Sequence, residues 1–278
     1  MDVRGLVDLL VAHQPVAVLS GAGISTDSGI PDYRGSGVDR RRRPPITYRA
    51  FMREPRTRRR YWARSHVGYR HVAAAVPNPG HRAVAALQRA GLVGPVVTQN
   101  VDGLHQAGGA VDVLDIHGRL DRVICTACGD VTARGDFGAR LTDANPAFAA
   151  RAASIAPDGD ADLRDDEVDG FRVPACEPCG GVLKPDVVFF GESMPRVRRE
   201  RAAAAVADAG ALLVLGSSLA VMSGYRLVLQ AAADRQPIGI VTRGPSRGDH
   251  LAAVRVDDGL SAVLDAVVRT ATAPAPAA

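Results

Sequence analysis

Lysine is nearly missing from this chain: of its 34 basic residues, Lys184 alone is not arginine. With abundant alanine and glycine, that imbalance reads as a bias of genome composition more than a binding device. Aromatic residues make up only 4%, and Trp62 is the single tryptophan. The runs Arg40–Arg43 and Arg56–Arg60 could meet phosphates, but neither is interleaved with aromatics as a nucleic-acid platform would be. A solvated arginine-rich surface is the simpler reading, and no specific nucleic-acid partner is expected. No apolar run approaches the ~18–20 residues that span a bilayer. The first twenty residues are broken by Asp2, Arg4, Asp8 and His13 and lack a secretory apolar region. A cytoplasmic protein with no membrane partner is the expectation. Only four cysteines occur, which without an export signal argues for metal binding or catalysis over disulfides.

What is present is ordinary for a globular enzyme: 278 residues, 46% hydrophobic and 23% charged, with a net charge of +4. Short apolar runs read as buried strands at Val16–Ser20, Pro95–Thr98, Val187–Phe190, Ala211–Gly216 and Pro237–Thr242. Helix-period apolar residues fill Val3–Ala12, His81–Ala90, Arg198–Ala209, Tyr225–Ala233 and Ser261–Arg269. The alternation predicts an α/β fold, a doubly wound, mostly parallel Rossmann-like sheet covered on both faces. Its expected extent is residues 1–118 and 186–269, with a helical excursion over 36–80. Residues 119–185 hold all four cysteines and an acidic stretch, Asp158–Asp169, and read as a small inserted metal-binding module. The tail 270–278 is expected to be disordered.

Five constellations carry chemistry. Gly21-Ala22-Gly23-Ile24-Ser25 follows the first strand, where glycines admit a pyrophosphate; the usual third glycine is Thr26, so this signal alone is weak. The run Gly29–Gly35 adds Asp32, Tyr33 and Arg34 on a loop that could close over a bound dinucleotide. Thr98–His105 crowds Gln99, Asn100 and Asp102 at a strand end; the plainer reading is a turn whose Asn and Asp cap a helix. His117 ends the run Asp112–His117, where a neutral imidazole suits a general base, although a lone histidine is more often structural. Cys125-x2-Cys128 and Cys176-x2-Cys179 fit a closed, structural Zn²⁺ site, with paired redox motifs the lesser reading. Leu183–Glu192 and Gly216-Ser217-Ser218-Leu219 complete the set: small hydroxyls suit ribose and phosphate, and Val187–Glu192 taken alone reads as core strand.

Taken together, and in this order, GAGIS, GIPDYRG, TQNVDGLH, HG, two CxxC pairs, LKPDVVFFGE and GSSL closely resemble the sirtuin family over roughly residues 15–265. YWARSHVG, PNPGH, HGRLDRVIC and SGYR look like its class II branch. The resemblance implies an NAD-dependent protein-lysine deacylase, a deacetylase that could also take succinyl or malonyl groups, with acylated-lysine proteins as partners. NAD would be consumed, its phosphates near Gly21, Ala22 and Gly23 beside Ser25, and its adenosine ribose near Gly216, Ser217 and Ser218. Asp32, Tyr33 and Arg34 would cover the nicotinamide ribose. Gln99, Asn100 and Asp102 would line the nicotinamide pocket, with Ile30 and Asp102 holding the carboxamide. The family often has Asn where this chain has Thr242, which puts that ribose contact in doubt, and Leu260 aligns loosely with an adenine contact.

The implied chemistry begins with attack of the acyl oxygen on the anomeric carbon of the nicotinamide ribose, with Asn100 and Asp102 beside it. His117 then serves as general base on a ribose hydroxyl, giving nicotinamide, O-acyl-ADP-ribose and free lysine. The acyl-lysine peptide would add as a strand between Val188, Phe189, Phe190, Gly191 and Glu192 on one side and Leu219, Ala220 and Val221 on the other. Tyr61 and Arg64 resemble a pair that admits acidic acyl groups, and share a helix face; both could equally well just pack. Protein ADP-ribosyltransfer from NAD and a non-catalytic, NAD-sensing zinc module are the rival readings.

Overall fold

The first expected strand forms as β1 (Val16–Ser20), buried along its whole length. Val16 and Val18 enter one core while Ala17 and Leu19 enter another, as a strand covered on both faces requires. The computed structural model describes residues 3–31, 46–148, 163 and 168–273. After β1 come β2 (Val93–Thr98), β3 (Val113–Asp115), β4 (Gly118–Cys125), β5 (Val131–Ala133), β6 (Leu183–Val187), β7 (Ala211–Leu215), β8 (Ile238–Val241) and β9 (Val254–Val256). The helices are α1 (Val3–Ala12), α2 (Tyr48–Arg53), α3 (Pro55–Ala73), α4 (Pro79–Arg89), α5 (Leu104–Ala107), α6 (Arg134–Ala144), α7 (Arg196–Ala207), α8 (Met222–Ala233) and α9 (Leu260–Ala271).

Six strands form a wholly parallel sheet in the order β3-β2-β1-β7-β8-β9. Helices α1, α4 and α9 press Leu6, Leu10, Val84, Leu87, Val263 and Leu264 onto one face. Helices α7 and α8 press Ala202, Val206, Leu227 and Val228 onto the other. The chain winds outward from β1 to β3 and returns to β7 on the opposite side of β1. The order therefore reverses between β1 and β7, and ligands of such sheets bind in the crevice at that point.

A second, antiparallel sheet, β5-β4-β6, lies beside it. Its core joins Val123, Phe137, Leu141, Phe171 and Leu183 to Phe51, Tyr61, Trp62 and Val67 from α2 and α3. Trp62 Nε1 donates to the Leu183 carbonyl at 3.1 Å. The helical excursion, expected within the nucleotide-binding domain, thus shares its core with the cysteine-bearing insertion: two stretches far apart in sequence make one unit.

Several expectations need correction. Val187–Phe190 does not add a strand to the main sheet: β6 ends at Val187 and pairs antiparallel with β4. The chain turns instead at Gly191 (φ 77°), and the Glu192 carboxylate accepts from the Phe189 N–H at 2.8 Å. Strand β9, three residues long at the sheet edge, carries too short a pattern to be read. Helix α9 runs to Ala271, two residues into the expected tail, and residues 274–278 lie outside the described residues. Among the described residues no helix is long and apolar enough to cross a membrane.

Gly216 sits at φ 63°, and a Cβ there would come 2.5 Å from the Ile24 nitrogen. Gly29 is also left-handed, at φ 81°, but faces open space. Gly216→Ala should therefore lower Tm by roughly 2–10 °C and by more than Gly29→Ala does. Equal shifts in thermal unfolding would show that the close approach costs nothing.

Candidate active site

The crevice between β1 and β7 is built from two turns that touch through their backbones. The Gly21 N–H donates to the Leu215 carbonyl and the Gly23 N–H to the Gly216 carbonyl, both at 2.9 Å. A Cβ on Gly21 would lie 2.8 Å from the Ser217 Cβ, so no other residue permits this approach unchanged. After Gly21 the chain makes two tight turns, Ala22–Ile24 and Thr26–Ser28. The result is a ledge of glycine backbone at the carboxyl ends of the strands, beside Ser217; Thr242, just past β8, is buried. That ledge fits an extended, phosphate-bearing ligand.

The next layer is a buried polar network. Asn100 Nδ2 donates to the Gly21 carbonyl and to Ser25 Oγ, both at 3.1 Å. Ser25 Oγ donates to Asp102 Oδ2 at 2.7 Å, and the other Asp102 oxygen accepts from the Leu104 N–H at 2.9 Å. Asp102 does cap α5, then, but it is also tied to the glycine turn. Gln99 Nε2 reaches Ser217 Oγ at 3.0 Å and so links β2 to the far side of the crevice. Ile30 packs on Val72 and Leu104 at the mouth.

Below lie two histidines that the sequence did not single out. His81 Nδ1 accepts from the Asn78 N–H, and the other nitrogen faces Ser25 Oγ at 3.4 Å. His105 Nε2 meets Ser20 Oγ at 2.9 Å. Burial holds both neutral, His81 with its pKa lowered to about 4 and His105 to about 3.

His117 stands at the strand end beyond β3. Its Nδ1 lies 2.9 Å from the Gln99 carbonyl, which can only accept, so Nδ1 carries the proton and Nε2 keeps the basic lone pair. Burial lowers the pKa of the ring, the Gln99 bond opposes that shift, and the Arg198 charge adds to it. Nε2 meets Ser223 Oγ at 2.7 Å, a partner that sequence reasoning missed. The only signal for it was the SGYR run.

Both expected substrate segments converge here. The Val188 N–H donates to the His117 carbonyl at 2.8 Å, and Leu219–Val221 leads directly into α8, which carries Ser223. Phe190 and Val221 are exposed at their sides of the cleft, whereas Leu219 is buried at φ 55°. The single lysine anchors the first segment: Lys184 Nζ donates to the Val187 carbonyl and to Glu192 Oε2 at 3.1 Å. Tyr61 meets Phe189 ring to ring at 5.2 Å. Arg64, one turn on, donates to the Leu163 carbonyl at 2.6 Å.

Leu260 is buried in the main core at the start of α9. Asp32, Tyr33 and Arg34 lie outside the described residues.

The cysteines form a separate centre. Cys125, Cys128, Cys176 and Cys179 bring all four sulfurs within 4.8 Å of one another. The Cys125–Cys179 and Cys128–Cys176 sulfurs stand 3.5 and 3.7 Å apart, close to the ~3.8 Å edge of a tetrahedron around Zn²⁺ with Zn–S near 2.3 Å. Backbone N–H groups of Cys128 and Ala127 pull the Cys125 thiol down to about 6, while burial pushes Cys176 up to about 12. A dication resolves that conflict by holding four thiolates, with no position left for substrate.

Comparison with known proteins agrees with this geometry. A family model described as Sir2 family matches residues 21–223. NAD-dependent protein deacetylase 1 of Streptomyces coelicolor is 56% identical over 255 residues, which is 92% of this chain and 85% of that protein. NAD-dependent protein deacetylase 2 of Bradyrhizobium diazoefficiens is 50% identical over 262 residues, 94% of this chain and 96% of that protein. Among solved structures, a Sir2 with p53 peptide and NAD+ matches at TM-score 0.78 and 28% identity, covering 97% of this chain and 98% of that one. Sir2Tm bound to a propionylated peptide matches at TM-score 0.76 and 27% identity, with the same coverages.

Because Trp62 lies in the core that the cysteine turns close, its fluorescence reports on the metal. Chelation, or Cys128→Ser, should release one zinc per chain and shift Trp62 emission to the red. An unchanged spectrum after zinc loss would show that the metal does not hold this core.

Proposed function

The chain belongs to the Sir2 family, and from that premise we propose that it is an NAD-dependent protein-lysine deacylase with a structural Zn²⁺. The observation that carries the reading is the state of His117, a neutral ring with Nδ1–H fixed on the Gln99 carbonyl and Nε2 left as the basic nitrogen, met by Ser223 Oγ. Bound NAD supplies an anomeric carbon from which nicotinamide leaves when an acyl oxygen attacks. The residues of this chain do the rest. Gly21, Ala22, Gly23 and Ser25, with Gly216, Ser217 and Ser218, receive the dinucleotide across the switch point. Gln99, Asn100 and Asp102, with Ile30, hold the nicotinamide end, and Ser25 fixes the Asp102 carboxylate. The family resemblance assigns Asp32, Tyr33 and Arg34 to the nicotinamide ribose.

His117 accepts a proton from a ribose hydroxyl at Nε2, so that this oxygen can attack the acyl carbon. The acyl-lysine substrate lies between Val188–Glu192 and Leu219–Val221; one water is consumed as the amine leaves, and the products are free lysine, nicotinamide and the acylated ADP-ribose. A positioned general base is worth ~10²–10⁴-fold. His117→Ala should therefore cut turnover of acetyl-lysine peptide by that factor and leave the zinc content unchanged. Label from NAD found on protein instead of on O-acyl-ADP-ribose would replace this reading with ADP-ribosyltransfer.

Acyl choice rests on Tyr61 and Arg64, whose helix α3 packs behind Phe189. An arginine there can take a carboxylate in two bonds, so succinyl-lysine and malonyl-lysine peptides should turn over at least as well as acetyl-lysine. Arg64→Met should reverse that order in a peptide panel read by mass spectrometry. An unchanged order would assign Arg64 to packing alone.

A further inference from the structure

The SGYR run plays no part in the reaction so far, yet its first two residues dock α8 on the catalytic centre and the third anchors the helix in the core. Gly224 is required because a Cβ there would fall 2.6 Å from Gln99 Oε1. Tyr225 is buried, with the Arg247 guanidinium 4.1 Å over its ring. Ser223 places its hydroxyl 2.7 Å from His117 Nε2, while Gln99, the residue that Gly224 accommodates, holds Nδ1. The two ring nitrogens are thus clamped by two groups that themselves pack together.

We infer that Ser223 is a positioning residue for the general base: its hydroxyl occupies the Nε2 lone pair in the unliganded cleft and yields it to the ribose hydroxyl. The inference rests on His117 acting as that base. Nε2 has a single lone pair, so Ser223 and the ribose hydroxyl cannot both donate to it. A serine hydroxyl rotates freely and both donates and accepts. When the ribose O–H bond breaks and the proton joins Nε2, Ser223 Oγ can turn from donor to acceptor and take up the new N–H. The serine therefore keeps the ring aligned before the reaction and supports the imidazolium after the transfer.

The sign of its effect follows. Ser223 donates to the neutral ring and accepts from the imidazolium, and the second, charge-assisted bond is the stronger, so removing Ser223 lowers the proton affinity of His117. The other groups facing the ring stay in place. They are the neutral Gln99 carbonyl from the end of β2 and Arg198 from α7, which Asp186 of β6 pairs at 2.7 Å. Among the described residues no carboxylate is hydrogen-bonded to this imidazole.

The acid limb of kcat/KM against pH reports the base in the free enzyme. In Ser223→Ala that limb should move down by roughly half to one pH unit, while plateau kcat falls less than about tenfold. Ser223→Thr, which keeps the hydroxyl, should restore the limb. Ser223→Cys keeps the size with a weaker donor and should fall between; it serves if the alanine variant fails to fold. An unmoved limb in a folded Ser223→Ala or Ser223→Cys protein overturns the inference and leaves Ser223 as part of a helix end. Retained turnover in His117→Ala would instead overturn the assignment of the base itself, a separate outcome read in the same assay.

Discussion

Backbone lying directly on backbone at the junction of β1 and β7 is the constraint on which the site depends. The turn at Gly21–Gly23 donates two N–H groups to the Leu215 and Gly216 carbonyls with no side chain between the two turns. Hydrogen bonds to that seam then recruit the remaining groups: Asn100 fastens on the Gly21 carbonyl, and Gln99 spans to Ser217. Gln99 in turn fixes His117 through its carbonyl. A single bulky atom at the seam would separate the two halves of the sheet and misplace every group in that chain.

The second constraint is dielectric. His81, His105 and His117 are all held neutral chiefly by burial. For His81 and His105 neutrality serves a polar scaffold beneath Asp102. For His117 it preserves a basic electron pair on Nε2, which the Ser223 hydroxyl meets. The same physical effect thus yields a silent support in two cases and a reactive group in the third, and the difference lies in what each ring faces.

Much of this was legible in the residues. Continuous apolar runs such as ALLVL identify strands buried on both faces, and two CxxC pairs specify a tetrahedral metal site wherever the chain carries them. Strand ends then locate Gln99, Asn100, Asp102 and His117. What escaped depends on contacts between distant segments. Nothing local in YWARSHVG reveals that Trp62 bonds the Leu183 carbonyl, and so that α3 belongs to the zinc-bearing unit. VVFF reads as core strand until Gly191 and Glu192 are seen turning it away. Ser223 was hidden because a serine near a helix start has an ordinary explanation.

Lys184 is the chain's one lysine, and it is 6% exposed and held by Glu192. These 278 residues accordingly offer acyl donors no accessible side-chain amine. An enzyme that strips acyl groups from lysines thus carries, in these residues, no exposed lysine on which the modification it erases could form. The guanidinium groups that replace lysine keep the positive surface without its nucleophilicity.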